Sequence, residues 1–159
     1  MNEMLRQAEP EESAELAELY GAARAAAVPR MPPAVHTADE DLVWFAERLR
    51  DGEHEAWLAQ RSDGLILGYA LFTSTWLNHL FVRPGHFGAR IGTDLLHLTQ
   101  TLRPEGLQLW VFQTNHDAIR FYQRHGFTEV ERTDGAENEE LAPDIRMQWP
   151  GGPCRCSPS

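Results

Sequence analysis

The sequence predicts a mixed α/β sandwich built around one sheet. Short apolar runs of strand length alternate with segments of helical period, glycines and prolines punctuate them at close spacing, and one strand-like run passes through glycines straight into an amphipathic helix. The third feature also carries chemistry.

Residues 11–27 read as the first helix, with Leu16, Leu19, Tyr20 and Ala23 on one face and Pro10 near its start. Residues 28–36 contain Pro29, Pro32 and Pro33, so they cannot continue it and form a loop of apolar and basic content. A second helix starts at Thr37, whose hydroxyl can cap while Glu40 reaches back, and Leu42, Phe45, Ala46 and Leu49 follow on one face. Gly52 ends it. Residues 56–61 and 65–73 are strands joined by the Ser62-Asp63-Gly64 turn, and residues 76–83 form the next strand. A third helix carries Ile91, Leu95, Leu98 and Leu102 and stops at Pro104 and Gly106. Residues 107–112 are apolar on both faces, as a central strand should be. Asn115 is placed to cap the fourth helix, Gly126 terminates it, and residues 127–133 and 145–149 complete the sheet.

A chain of 159 residues, 42% apolar and 24% charged, suits one compact domain over residues 1–150. Residues 151–159 read as a disordered Gly-Pro-Ser-rich tail. Its Cys154 and Cys156 are one residue apart, which is poor disulfide geometry and too few ligands for zinc, so no metal is expected. A formal charge of −10 repels nucleic acid and favours cationic partners. No apolar run approaches bilayer length and no signal pattern opens the chain, so a cytoplasmic protein without a membrane partner is expected.

The junction over residues 82–93 has the design of an anion-binding helix N-terminus, where the first amides lack intrahelical acceptors and small residues admit a phosphate. Downstream, Asn115 precedes a helix carrying Ala118, Ile119 and Tyr122, and Gly126-Phe127 opens another strand.

Leu80-Phe81-Val82-x-Pro84, Gly88-x-Arg90-Ile91-Gly92 and Asn115-x-x-Ala118-x-x-Phe121-Tyr122-x-x-x-Gly126-Phe127 together resemble the GNAT-type N-acetyltransferases, over residues 65–133 and more loosely over 5–149. The family's loop reads Gln/Arg-Gly-x-Gly-x-Gly/Ala, so Phe87 stands on its first position, Arg90 on its middle glycine and Gly92 on its last. The resemblance implies a mostly antiparallel sheet flanked by helices, with its central strands splayed, and acetyl-CoA as co-substrate in the gap. It places the pyrophosphate on Phe87, Gly88, Ala89, Arg90, Ile91, Gly92 and Thr93, and the pantetheine arm on the backbone of Leu80, Phe81 and Val82. It brings Asn115 to the coenzyme near the thiol and Tyr122 beside the sulfur, where a neutral phenol can protonate the leaving thiolate.

In this family a carboxylate on the strand before Val82 often serves as base; here that place falls on Asn78, which can only position a water. The neighbouring His79 has the intrinsic pKa for the task, although strand alternation turns it to the other face. Amines of modest basicity need no base, and catalysis then rests on positioning and on a backbone N–H, that of Val82, polarising the carbonyl. Acceptor contacts are expected from Arg30 and His36 in the first inter-helix loop and from Glu139, Glu140 and Asp144 after the sixth strand, whose acids could hold an ammonium group.

The activity so implied is direct acetyl transfer to a small-molecule amine, since no serine or cysteine sits in a nucleophile context. The alternative is a non-catalytic coenzyme sensor or interaction module with an altered pyrophosphate loop, favoured by Phe87 and Arg90 and opposed by Asn115 and Tyr122. Transfer of a longer acyl group is a third reading. Pairing through strands would give a homodimer, though no residue requires one.

Overall fold

A computed structural model describes residues 3–86 and 90–152. Its elements are β1 (Glu3–Gln7), α1 (Ser13–Ala27), α2 (Ala38–Arg48), β2 (Glu55–Arg61), β3 (Ile66–Phe72), β4 (Leu77–Val82), α3 (Ile91–Leu102), β5 (Leu107–Phe112), α4 (His116–Arg124), β6 (Thr128–Thr133) and β7 (Asp144–Trp149), with a 3-10 turn at Pro10–Glu12 ahead of α1. Phe87, Gly88, Ala89 and the tail with Cys154 and Cys156 lie outside the described residues.

The local signals act as anticipated. Thr37 accepts from the Glu40 amide at 3.2 Å while Glu40 accepts from the Thr37 amide at 2.8 Å. Asn115 accepts from the Ala118 amide at 3.4 Å, and Gly126 takes a φ of 94° past the end of α4. β1 was not anticipated. Its Glu-Met-Leu-Arg-Gln sequence lacks clean alternation because it is an edge strand that pairs only with β2.

The one-sheet expectation is corrected by the hydrogen bonding. Two antiparallel ladders, ordered β1-β2-β3-β4 and β5-β7-β6, are joined in hydrogen bonding among the described residues by a parallel bridge between Trp76 and Gln108, where the Gln108 amide donates to the Thr75 carbonyl at 2.8 Å. Beyond that bridge β4 and β5 diverge. β5 therefore borders an opening rather than a neighbour, and Trp110 is 46% exposed where a doubly buried strand was expected.

Helices cover both faces. Leu16, Leu19 and Phe45 from α1 and α2 pack with Leu58, Tyr69 and Leu71. On the other face Ile91, Leu95 and Leu96 of α3 join Leu67, Ala70 and Phe72, and the cluster continues through Leu109, Ile145 and Met147 of the second ladder. All seven residues of β3 are buried between these layers. No helix among the described residues is long and apolar enough to cross a membrane.

α3 approaches β3 closely because residue 68 is glycine. A Cβ there would lie 2.9 Å from the Phe81 carbonyl oxygen and 3.0 Å from Ile91 Cγ2, tighter than side chains tolerate. Gly68→Ala is expected to push α3 off the sheet and cost about 1–3 kcal/mol. Thermal unfolding checks this, with an unshifted midpoint as the contrary result.

Candidate active site

β4 carries one residue more than its partner. His79 opposes Leu71 and Leu77 opposes Phe72, so Asn78 has no partner and forms a bulge. The bulge interrupts strict alternation, and both Asn78 and His79 line the same cavity, which overturns the expectation that they serve opposite faces.

The register also decides which β4 backbone groups face the gap. The Arg83 amide donates to the Leu67 carbonyl at 2.7 Å, and hydrogen-bonded pairs alternate along an antiparallel ladder. Phe81, opposite Tyr69, therefore spends its N–H and C=O on β3, whereas Leu80 and Val82 turn theirs toward β5. Of the three residues expected to bind a pantetheine arm through the backbone, Leu80 and Val82 are available and Phe81 is not.

The gap opens into a cavity of about 850 Å³ bounded by β4, β5, α4, α2 and the loop after β6. Tyr122 lines it from α4, with its ring packed edge-on against Phe121 at 5.3 Å and Phe127 at 5.5 Å. Its hydroxyl makes no hydrogen bond with the described residues, and burial raises its pKa, so the phenol stays protonated. Packing and a free hydroxyl coexist. Asn115 also lines the cavity; its oxygen caps α4, which leaves its amide nitrogen unengaged.

At the far end of the gap the first intrahelical bond of α3 runs from the Asp94 amide to the Arg90 carbonyl, at 3.0 Å. The amides of Ile91, Gly92 and Thr93 precede it and lack helical acceptors. Ile91 is fully buried, so it can offer only its backbone. A Cβ on Gly92 would enter the space between Val82 and Phe121 at 3.6 and 3.7 Å. Arg90, on the family's middle-glycine position, adopts a left-handed conformation, φ 64° and ψ 16°, with its side chain exposed.

His79 is not the base that its intrinsic pKa suggested. Its imidazole is stacked between Tyr20, at 4.9 Å and 8°, and Trp44, at 5.1 Å and 14°, and its Nδ1 lies 2.9 Å from the Tyr69 hydroxyl. Burial, with Arg24 and His54 nearby, pushes its pKa down to about 3.

The acceptor-side expectations divide. His36 pairs through Nε2 with Glu139 at 2.7 Å, tying the first inter-helix loop to the β6–β7 connection, and this bond raises the His36 pKa. Both residues and Glu140 line the cavity. Arg30 does not; its carbonyl accepts from the Thr114 hydroxyl at 2.7 Å and its side chain is exposed elsewhere. Asp144 does not either. It is buried, accepts from the Thr133 hydroxyl and from the Asn138 amide at 3.1 Å, and thereby anchors the β6–β7 connection.

Sequence reasoning missed Arg24, which is only 5% exposed. It donates to the Tyr20 hydroxyl and the Pro32 carbonyl, both at 2.9 Å, and lies 3.5 Å from Glu140. The available signal was its place four residues after Tyr20, on the same helical face. α2 adds Asp39, Glu40, Asp41 and Glu47 to the cavity lining, so the mouth is acidic around one buried cation. Asp41, half-buried with no side-chain partner among the described residues, has its pKa raised by burial.

Three comparisons bear on this geometry. Residues 52–129 match the family model described as acetyltransferase (GNAT) domain. The chain is 35% identical over 89 residues to the peptidyl-lysine N-acetyltransferase YiaC of Escherichia coli, covering 55% of this chain and 59% of that protein. It is 29% identical over 98 residues to the peptidyl-lysine N-acetyltransferase YjaB of Salmonella typhimurium, covering 62% and 67% respectively. The match to YiaC thus spans less than two thirds of that relative's length. The structure of YncA from Salmonella typhimurium with its cofactor acetyl-CoA superposes with a TM-score of 0.73 at 19% identity, over 100% of this chain and 99% of that one, a likeness of fold.

The buried imidazole makes stability pH-dependent in a defined window. Between pH 6.5 and about 3 the unfolded chain binds a proton at His79 that the folded chain does not, so stability falls as pH drops through that range. A Tyr69→Phe/His79→Leu double variant, which removes both partners of the hydrogen bond together, is expected to lose stability less steeply on acidification. Parallel unfolding midpoints for both proteins from pH 7 to 4 would exclude this.

Proposed function

We propose that the chain, whose residues 52–129 match the GNAT acetyltransferase family model, moves an acetyl group from acetyl-CoA directly to the primary amine of a small molecule. The observation that carries the reading is the β4–β5 gap itself. One wall offers the outward-turned backbone groups of Leu80 and Val82, the other the free hydroxyl of Tyr122, and the unbonded amides of α3 stand at one end. These residues fit acetyl-CoA: the amides of Ile91, Gly92 and Thr93 suit a pyrophosphate, with Arg90 able to extend over it, and the β4 edge suits an amide-bearing arm. When bound, the coenzyme supplies the activated acetyl group.

The Val82 N–H would polarise the acetyl carbonyl toward attack by the amine nitrogen. Tyr122 would supply the hydrogen that the departing sulfur needs, and the proton lost by the amine would return to the Tyr122 oxygen through a water held at Asn78, so that one proton moves from nitrogen to sulfur overall. The acidic mouth gathers cationic amines, and Glu140 and the Glu139–His36 pair stand where they enter. A lysine side chain on a peptide is the second reading of the acceptor, favoured by the open acidic mouth and by the names of the two curated relatives.

Isothermal titration with acetyl-CoA and with CoA is expected to show micromolar binding by the natural sequence. No binding until Arg90→Gly is introduced would instead favour the non-catalytic reading. Tyr122→Phe is expected to lower kcat by about ten- to a thousandfold, the usual worth of general acid catalysis, while leaving the titration unchanged. Undiminished turnover would remove Tyr122 as the acid.

A further inference from the structure

We propose that His79 is a hydrogen-bond donor locked as its neutral Nε2–H tautomer, and that it reads a carbonyl or carboxylate oxygen carried by the acceptor beside its amine. The oxygen half of this inference rests on the acetyl-transfer reading; the tautomer does not.

The lock comes from Tyr69. Its side chain is fully buried, and among the described residues its hydroxyl has one partner, His79 Nδ1. A buried hydroxyl must place its hydrogen somewhere, and Nδ1 can receive it only if Nδ1 carries no hydrogen of its own. The neutral ring then bears its hydrogen on Nε2. Protonating the ring would force Nδ1–H against the Tyr69 hydroxyl and leave the latter's hydrogen without an acceptor.

The surroundings reinforce neutrality from each element packed on the ring. Tyr20 and Arg24 face it from α1, Trp44 from α2, His54 from the turn before β2 and Tyr69 from β3; Arg24 and His54 oppose a positive charge on it. Asp41, a carboxylate of α2, acts on Tyr20 and Tyr69, while the charged groups that act on His79 are Arg24 and His54.

Nε2 is open to the cavity. The buried side-chain atoms left unpartnered among the described residues are Glu3 Oε2, Arg24 Nε and His86 Nδ1, so Nε2, which makes no protein hydrogen bond, keeps accessible surface. With both ring faces covered by Tyr20 and Trp44, only its edge is presented. An N–H there repels an ammonium and pairs with an oxygen. The carboxylates of the mouth attract the ammonium as it enters, so the cavity distinguishes two ends of one molecule.

Two measurements test this. In protein labelled with 15N-histidine, the His79 imidazole is expected to show the Nε2–H tautomer unchanged from pH 5 to 9; an Nδ1–H signal, or titration near 6.5, overturns the lock whatever the protein catalyses. In acetylation assays, pentylamine, 6-aminohexanoate and Nα-acetyl-lysine methylamide offer amines of similar basicity with no oxygen, a carboxylate and a peptide carbonyl. One or both oxygen-bearing amines is expected to exceed pentylamine in kcat/KM by about tenfold, and His79→Phe to bring that ratio within about twofold. A lead for 6-aminohexanoate identifies a carboxylate, a lead for the methylamide a peptide carbonyl. Equal values in the natural protein, or a ratio that survives the substitution, overturn oxygen recognition. Failure to acetylate any of the three would count against the transfer reading, and the spectrum would still decide the tautomer.

Discussion

The separation of β4 from β5 is the constraint on which the rest of the molecule depends. Two strands that begin as neighbours at Trp76 and Gln108 and then part leave backbone donors and acceptors without a ladder. Such groups are tolerable only where something else can hydrogen-bond them, so the opening has to be a binding site or a wet cleft. The Asn78 bulge lies two residues past the bridge, where an extra residue bends the strand and increases its twist. The two ladders are held in one body by packing, with α3 laid across the first and its apolar cluster continuing into Leu109, Ile145 and Met147 of the second. The absence of a side chain at Gly68 lets that helix settle deeply enough to do so. The same helix also presents its unbonded N-terminal amides beside Val82, at one end of the gap.

The acceptor side shows a different economy. Its mouth is acidic, yet the groups deepest in it are a cation and a neutral imidazole, Arg24 and His79, with aromatic rings around both. Burying Arg24 is tolerable because Tyr20, the Pro32 carbonyl and Glu140 share its charge. Burial, with the field of Arg24 added, keeps His79 uncharged. The carboxylates nearer solvent are partly consumed by structure, Glu40 in a helix cap and Glu139 in the contact with His36. Asp41 is left as the half-buried carboxylate without such a duty.

The sequence disclosed whatever is local. The Thr37–Glu40 capping box, the Asn115 cap and Gly126 place the start of α2 and both ends of α4 within a residue or two, because each signal acts over a few residues, whereas α2 ends at Arg48, short of the Gly52 expected to stop it. The glycine-bearing junction before α3 and the position of Tyr122 were legible for the same reason. What escaped is tertiary. β1 has no pattern apart from its partner, and Trp110 is exposed only because its neighbour strand departs. Asp144 looks like any surface acid until Thr133 and Asn138 are found against it. His79 shows the gap most plainly: its residue type suggests a base, and three aromatic rings and a tyrosine hydroxyl, contributed by α1, α2 and β3, make it something else.

Arg90 stands where the family's loop pattern has a glycine, and its backbone is left-handed. Glycine reaches positive φ freely, and Arg90 takes that conformation without the freedom. For a residue with a Cβ, the left-handed region costs roughly 1–2 kcal/mol. The turn therefore carries a modest strain, which the rest of α3 can hold because Ile91, Leu95 and Leu96 are fully buried beneath it. In return a guanidinium stands at the N-cap of the helix, where its positive charge adds to that of the unbonded amides. Charge at this point is unfavourable to the isolated helix and favourable to a helix that holds an anion.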